Sequence, residues 1–297
     1  MSWRAELTER FPDRCLQDEP LNRHTSFKIG GQAECLVWPQ SEPEWAWLLG
    51  FVKRGGLPLT VLGLGTNVIV SDSGLAGVVA STCRMAGCAV SGRRVRADAG
   101  AALDSVAARG VEAGLAGMEK LSGIPGTVGG ALWINAGAFG QETYDRLLSW
   151  TALDPEGRLV RRAKAETAFG YRKVEGVCGL VFLAAEWELD PGDAAALRAS
   201  RAATLQARRD KQPLDLPSAG SVFKRPPGSH ASRLIDSCGL KGLTVGRAQV
   251  SPKHAGFIVN LGGATARDVM ELIGRVREAV QARTGVKLEL EQIPLGF

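Results

Sequence analysis

Ser221 stands after a glycine and before an apolar run in Ser218-Ala219-Gly220-Ser221-Val222-Phe223-Lys224. A hydroxyl is a poor acid in water, and it becomes a useful proton donor only where a strong base forms beside it. A plain turn residue would have the same local sequence, so both uses stay open. No G-x-S-x-G elbow surrounds the serine, which leaves hydrolase chemistry without support. Arg172 closes the segment Phe169-Gly170-Tyr171-Arg172. Its guanidinium is a fixed cation with planar donors that match a carboxylate, although an arginine after an aromatic is equally at home on a surface. Glu291 ends the alternating stretch Val286-Lys287-Leu288-Glu289-Leu290-Glu291. A period of two predicts a strand with Lys287, Glu289 and Glu291 on one face, and that face serves chemistry or simply meets solvent.

Two glycine-rich segments lie upstream. In Val61-Leu62-Gly63-Leu64-Gly65-Thr66-Asn67-Val68-Ile69-Val70-Ser71-Asp72 the glycines permit a tight turn whose N–H groups converge on an anion. The residues that follow are β-branched and alternate, so the turn leads into a strand. The third glycine of a dinucleotide fingerprint and the lysine of a Walker loop are both absent. The turn is therefore a hairpin connection or a phosphate cradle between two strands. The second segment, Leu121-Ser122-Gly123-Ile124-Pro125-Gly126-Thr127-Val128-Gly129-Gly130 through Gly140, is too rich in glycine for a regular helix or strand. Backbone of this kind suits close approach to a flat ring, or a large structural loop.

The elements that must hold these segments can be read from periodicity. Strands are predicted over Ala33–Trp38, Leu59–Leu62, Asn67–Val70, Val78–Ala80, Trp150–Leu153 and Leu180–Leu189. Helices are predicted over Glu42–Arg54, which Gly55-Gly56 ends, and around Leu103–Arg109. A polar helix from Asp193 to about Arg209 leads into Gln212–Pro217, where the change of composition marks a domain boundary. Near the C-terminus Thr265-Ala266-Arg267-Asp268 forms a capping-box start with Asp in the usual Glu position. The helix after it places Val269, Leu272, Ile273, Val276 and Val280 on one face.

Composition narrows the function classes. The chain has 297 residues, 37 of them glycine and 14 proline, with no collagen period, so folded loops explain the glycines. The six cysteines form no C-x-x-C pair and sit near no histidine cluster, which argues against structural zinc or a disulfide framework. The net charge of +5 comes without interleaved aromatics, so it favours a small polyanion over nucleic acid. No apolar run approaches the ~20 residues of a membrane span, and the N-terminus lacks a signal-peptide core.

Taken in order, several stretches resemble the UDP-N-acetylenolpyruvoylglucosamine reductases, flavoenzymes of peptidoglycan precursor synthesis, in their shorter form. They are His24–Gly31, Leu62–Asp72, Leu121–Gly140, Phe169–Arg172, Ser218–Lys224, Lys253–Asn260 and Leu288–Glu291. The resemblance implies an α+β protein with a two-part FAD-binding domain of the vanillyl-alcohol-oxidase/PCMH type, residues 1–80 and 81–207. A C-terminal α+β substrate domain follows over 208–297, its extreme C-terminus returning to the active site. It implies non-covalent FAD, NADPH as hydride donor, and reduction of UDP-N-acetylglucosamine enolpyruvate to UDP-N-acetylmuramate. Gly63, Gly65, Thr66 and Asn67 then lie at the FAD pyrophosphate. Ser122, Gly123, Ile124, Gly126, Thr127 and Gly130 lie along the flavin and its ribityl chain. Arg172, Ser221 and Glu291 take the family's catalytic positions, and Lys224, Arg225 and Arg233 meet the uridine diphosphate. A cytoplasmic monomer is expected, with no metal, membrane or nucleic-acid partner.

The chain departs from that pattern at Leu64 and Thr66, in Gly228-Ser229-His230-Ala231-Ser232-Arg233, and at Leu290 and Gln292. It also looks too short for the subdomain that carries a substrate-capping tyrosine in the longer form. Two other classes compete: an oxidase of the same flavin fold, with FAD attached through His24 or a cysteine, and a non-catalytic flavin or nucleotide-sugar binder.

Overall fold

The computed structural model describes residues 2–297, and they fold as two compact units. The first comprises the chain up to Gln17, Cys35–Leu64 and Gly77–Arg208; the second comprises Asp18–Glu34, Gly65–Ala76 and Arg209–Phe297. The described helices are α1 (Trp3–Arg10), α2 (Glu42–Gly55), α3 (Leu103–Glu112), α4 (Val128–Ile134), α5 (Ala194–Lys211), α6 (Ala231–Ser237) and α7 (Ala266–Thr284).

One sheet, to which the first unit contributes Cys15–Gln17, Cys35–Val37, Gly77–Ser81 and Leu59–Leu62, has the strand order Cys15–Pro20, Gln32–Val37, Leu75–Ser81, Leu59–Leu62. The last two are parallel, with Leu59 opposite Val78 and Leu62 opposite Ser81. Helix α2 starts where Ser41 accepts the Glu44 N–H and ends at Gly56, whose φ of 60° gives the left-handed cap that glycine adopts at low cost. Its apolar face buries Trp45, Leu48, Leu49 and Val52 in a core shared with Leu7, Phe11, Val78 and Ala80.

The second sheet of this unit is antiparallel, in the order Leu159–Ala163, Leu147–Leu153, Val181–Glu188, Arg94–Asp98, Cys88–Ser91. A separate core gathers Trp150, Trp187 and Tyr144 with Val106 and Ala107 of α3 and Leu132 of α4. The two indoles keep their N–H groups satisfied inside it, Trp187 on the Thr143 carbonyl at 2.8 Å and Trp150 on Thr167 Oγ1 at 3.0 Å.

Helix α4 overturns the expectation that the glycine-dense segment carries no helix. Gly129 and Gly130 sit in its first turn, at about 1 kcal/mol each relative to alanine. Capping and close packing offset that cost. The Thr127 hydroxyl accepts the Gly130 N–H at 3.3 Å, and the N–H groups of Val128 and Gly129 donate to the carbonyls of Ala101 and Ala99 at 2.9 and 2.8 Å. A Cβ on Gly129 would stand 3.1 Å from the Ala99 side chain and 3.2 Å from its carbonyl oxygen.

In the second unit α7 lays Val269, Leu272, Ile273, Val276 and Val280 into a core with Phe27, Ile69, Val222 and Ile258. Its capping box is present: Thr265 Oγ1 accepts the Asp268 N–H at 3.0 Å, and Asp268 accepts the Thr265 N–H at 3.1 Å. Asp72 adds a second clamp, accepting the Ala266 and Arg267 N–H groups at 2.8 and 3.0 Å. A small antiparallel sheet runs Thr244–Val245, Ala248–Val250, Ile258–Asn260. Ile293–Leu295 pairs in parallel with Val68–Val70.

Val286–Glu291 is extended but is not the predicted strand. Leu288 is buried while Lys287 and Glu289 are exposed, so the alternation is kept. Backbone pairing reduces to isolated contacts: Leu290 bridges Phe223, and the Glu289 carbonyl accepts the Lys224 N–H at 2.9 Å. Periodicity specifies which side chains turn inward, and a ladder needs a partner strand of matching length as well.

Gly129→Val is expected to lower stability by about 1–3 kcal/mol, because the new side chain presses on Ala99. A urea denaturation midpoint equal to that of the parent would contradict this packing.

Candidate active site

The strands flanking Gly63-Leu64-Gly65 do not pair with each other. Leu59–Leu62 pairs with Leu75–Ser81, and Val68–Val70 pairs with Ile293–Leu295, so the segment is not a hairpin connection. In the first unit Gly63 lies against Thr127: a Cβ built on the glycine would collide with the threonine side chain. The two glycine-rich segments read from sequence thus meet at Gly63 and Thr127.

The stretch Ser122–Thr127 is organised by charge. Gly123, at φ +73°, donates its N–H to Asp104 Oδ1 at 2.8 Å, and Arg201 Nη2 reaches the same oxygen at 2.8 Å. Arg208 lies buried behind the stretch. Its Nε donates to the Ser122 carbonyl at 2.9 Å, its guanidinium stands 5.3 Å from the centre of the Phe139 ring, and a Cβ on Gly123 would meet its Cδ. Burial pushes Arg208 below the ordinary arginine value, with Asp104 partly opposing. Both Ser122 Oγ and Arg208 Nη2 are buried without a hydrogen-bond partner. Neither Arg208 nor Asp104 is singled out by the sequence.

Arg172 also belongs to the first unit. It has a left-handed φ of 54°, an uncommon backbone for an arginine. Its Nη2 donates to the Gly137 carbonyl at 2.9 Å and its Nη1 to the Asn135 carbonyl at 3.4 Å. Asn135 is the left-handed cap of α4 and is fully buried. Its amide donates to Glu142 Oε2 at 2.6 Å and to the Gly170 carbonyl at 3.2 Å, and its side-chain oxygen accepts the Tyr144 N–H at 3.2 Å. One asparagine thus ties the end of α4 to the turn that presents Arg172. Sequence reading did not single it out; an Asn after an apolar helix end is the only local signal.

Ser221 and Glu291 are neighbours in the second unit. Val222 links them, donating its N–H to the Gly256 carbonyl at 2.9 Å and accepting the Glu291 N–H at 2.8 Å. Ser221 itself bridges Phe257 and is exposed. The turn before it is held by Gln292, buried, whose amide donates to the carbonyls of Ala219 and Gly220 at 3.0 and 3.2 Å. Ser26 Oγ donates to the Ser218 carbonyl at 2.7 Å. Asn67 joins the same group, its Nδ2 donating to the Glu291 carbonyl at 3.2 Å. Gly65 has φ +61°, and a Cβ there would strike the His24 carbonyl. Lys224 stands 3.5 Å from Glu289, a partly exposed pair of small energetic weight. Arg225 and Arg233 are exposed. No helix among the described residues is long and apolar enough to cross a membrane.

Comparison with known proteins places the chain in a family. Residues 212–293 match the family profile "UDP-N-acetylenolpyruvoylglucosamine reductase, C-terminal domain", and residues 33–162 match "FAD binding domain". A UDP-N-acetylenolpyruvoylglucosamine reductase of Moorella thermoacetica is 44% identical over 287 residues, covering 97% of this chain and 95% of the relative. The chain belongs to that family. It is an FAD-containing oxidoreductase of the α+β class. A second relative, UDP-N-acetylenolpyruvoylglucosamine reductase 2 of Symbiobacterium thermophilum, is 45% identical over 294 residues, covering 98% of this chain and 95% of its own. Among solved structures, the reductase of Thermus caldophilus superposes with a TM-score of 0.81 at 33% identity, covering 94% of this chain and 97% of that one.

The first unit fits an FAD. Gly63 and Gly123 let the two glycine-rich segments pack backbone-close against Thr127 and Arg208, and Ser122 Oγ and Arg208 Nη2 offer buried polar atoms with no protein partner. A desolvated guanidinium suits the anionic or carbonyl oxygens of such a group.

Arg208→Met should separate two effects. Removing this buried cation relieves its desolvation but also deletes its bond to the Ser122 carbonyl, so the melting temperature of apo-protein is expected to change little, while FAD binds about tenfold or more weakly. Quenching of FAD fluorescence on titration reads the second effect, and an unchanged affinity would take Arg208 out of the cofactor site.

Proposed function

We propose that this enzyme uses NADPH to reduce UDP-N-acetylglucosamine enolpyruvate to UDP-N-acetylmuramate, a step of peptidoglycan precursor synthesis. The observation that carries the reading is near-full-length identity to reductases of that name, combined with Ser221 held on the same backbone hydrogen-bond chain as Glu291. Bound FAD, which the residues of the first unit would hold without a covalent link, would supply the hydride chemistry between NADPH and the terminal carbon of the enolpyruvyl double bond.

The protein's own groups handle the charge and the proton. Hydride addition leaves negative charge on the neighbouring carbon and its carboxylate. Arg172 stabilises that charge with its planar donors. Ser221 gives its proton to the carbon, so hydride and proton add across the double bond, and solvent restores the hydroxyl. The exposure of Ser221 and the rigid turn before it support this role. Glu291 holds the substrate carboxylate or the site's geometry. In this reading Gly63, Gly65, Thr66 and Asn67 serve the FAD pyrophosphate. Ser122, Gly123, Ile124, Gly126, Thr127 and Gly130 serve the flavin and ribityl chain, and Lys224, Arg225 and Arg233 serve the uridine diphosphate. Residues 1–80 and 81–207 act as the two parts of the FAD-binding domain and 208–297 as the substrate domain, in a cytoplasmic monomer.

Stopped-flow absorbance separates the two half-reactions. With Ser221→Ala, NADPH should still bleach the flavin, while reoxidation by the enolpyruvyl nucleotide sugar should slow by about 10²–10⁴-fold, the range of general acid catalysis. Near-parental reoxidation would exclude Ser221 as the acid. Arg172→Lys should fail in the same half-reaction, since an ammonium cannot replace the fork; full activity would remove Arg172 from the mechanism.

A further inference from the structure

The geometry points to His254 as a positioning residue for Ser221, one that works through the backbone of Gly256. This rests on the reading of Ser221 as the proton donor. His254 Nδ1 accepts the Gly256 N–H at 3.1 Å, and the carbonyl of Gly256 accepts the Val222 N–H at 2.9 Å. The next residue, Phe257, is the one that Ser221 bridges. Imidazole and serine are thus joined by one short run of backbone.

The run has little freedom to shift. His254 donates its own N–H to Ser251 Oγ at 3.3 Å, and its carbonyl accepts the Phe257 N–H at 3.0 Å. Its ring stands edge-on to Phe257 with centroids 5.0 Å apart. On the other side, a Cβ on Gly256 would lie 3.0 Å from the imidazole Cε1 and 3.1 Å from Ser232 Cβ. Gly256 therefore sits in a tight slot between His254 and α6, where a Cβ would require its neighbours to shift.

The contact also fixes the tautomer. A ring nitrogen that accepts from an N–H must be unprotonated, so the neutral ring carries its hydrogen on Nε2. Protonating Nδ1 would set two donors against each other and release Gly256. The surroundings oppose that step. The charges facing the ring are Lys211 at the end of α5 and Lys241 after α6, the latter paired with Asp236 at 2.9 Å. Lys253, in the same turn, reaches the Arg209 carbonyl at 2.6 Å. Burial, then these lysines, hold His254 below the ordinary histidine value. The folded protein thus binds this proton less readily than the unfolded chain does. Stability linked to His254 is full above about pH 6.5 and declines as the pH falls towards its depressed value.

The test uses the FAD-loaded enzyme and both half-reactions. His254→Ala should slow reoxidation by the enolpyruvyl substrate by about tenfold and leave reduction by NADPH unchanged. His254→Asn offers an amide oxygen where Nδ1 stood, and should restore reoxidation at pH 7.5. The parental enzyme should keep its reoxidation rate through the ordinary histidine range near pH ~6.5 and lose it only at lower pH, where the depressed His254 takes up its proton, and the Asn variant should keep it there too. Reoxidation at the parental rate in His254→Ala, or equal slowing of both half-reactions, would overturn the proposal. So would an acid limb that persists unchanged in His254→Asn, a result available even if the Ala variant does not fold. Ser221→Ala run alongside tells the failures apart. Full reoxidation there rejects the proton-donor reading itself, whereas its loss with an unaffected His254→Ala rejects only the role of His254.

Discussion

Val222 uses both of its backbone groups across strands that never become a ladder: its N–H goes to Gly256 and its carbonyl takes the Glu291 N–H. A buried peptide with either bond missing would forfeit on the order of 1–3 kcal/mol, so the three segments are obliged to stay in this register. Around that residue the second unit places everything else. Ser221 stands immediately before it, exposed, and Phe223 after it, buried. Gln292 follows Glu291 and turns back to hold Ala219 and Gly220. Because the pairing is by isolated bridges, Ser221 is fixed in backbone while its side chain remains free of a covering neighbour strand.

The first unit solves a related problem by omission of side chains. Gly63 against Thr127, Gly123 against Arg208 and Gly129 against Ala99 are three sites where a Cβ would meet a neighbouring residue. Each brings backbone closer to its neighbour than an ordinary residue would allow. The same crowding packs α4 onto the sheet, and the left-handed Asn135 at its end then sets Arg172. Glycine density here encodes distance of approach rather than flexibility.

Much of this was legible in the chain itself. Helices with clear caps and an apolar face, such as α2 and α7, could be read to within a residue or two because cap chemistry and the 3.6 period point the same way. The positions of Ser221, Arg172 and Glu291 were singled out, but local sequence could not choose between a chemical and a bland use for any of them. The helix within Val128–Ile134 was missed because its stabilisation comes from Ala99 and Ala101, about thirty residues away. Val286–Glu291 misled in the opposite direction, since alternation reports burial and not pairing. The roles of Arg208, Asn135 and Gln292 were not legible, for each acquires its meaning only from groups that the fold delivers.

The pairing of Ile293–Leu295 with Val68–Val70 has a temporal consequence. The second unit draws on Asp18–Glu34, Gly65–Ala76 and Arg209–Phe297, with most of the first unit's chain threaded between them. During synthesis its early pieces emerge long before their partners, and Val68–Val70 waits for its pairing until Ile293–Leu295 has been made. Such long-range closure is slow and leaves strand edges unprotected while it waits. The first unit, whose described segments end at Arg208, can reach its native contacts while the rest of the chain is still being made. A nascent molecule therefore holds its cofactor scaffold before it owns the serine turn, and truncation near the C-terminus would leave the second unit open even though most of its residues were present.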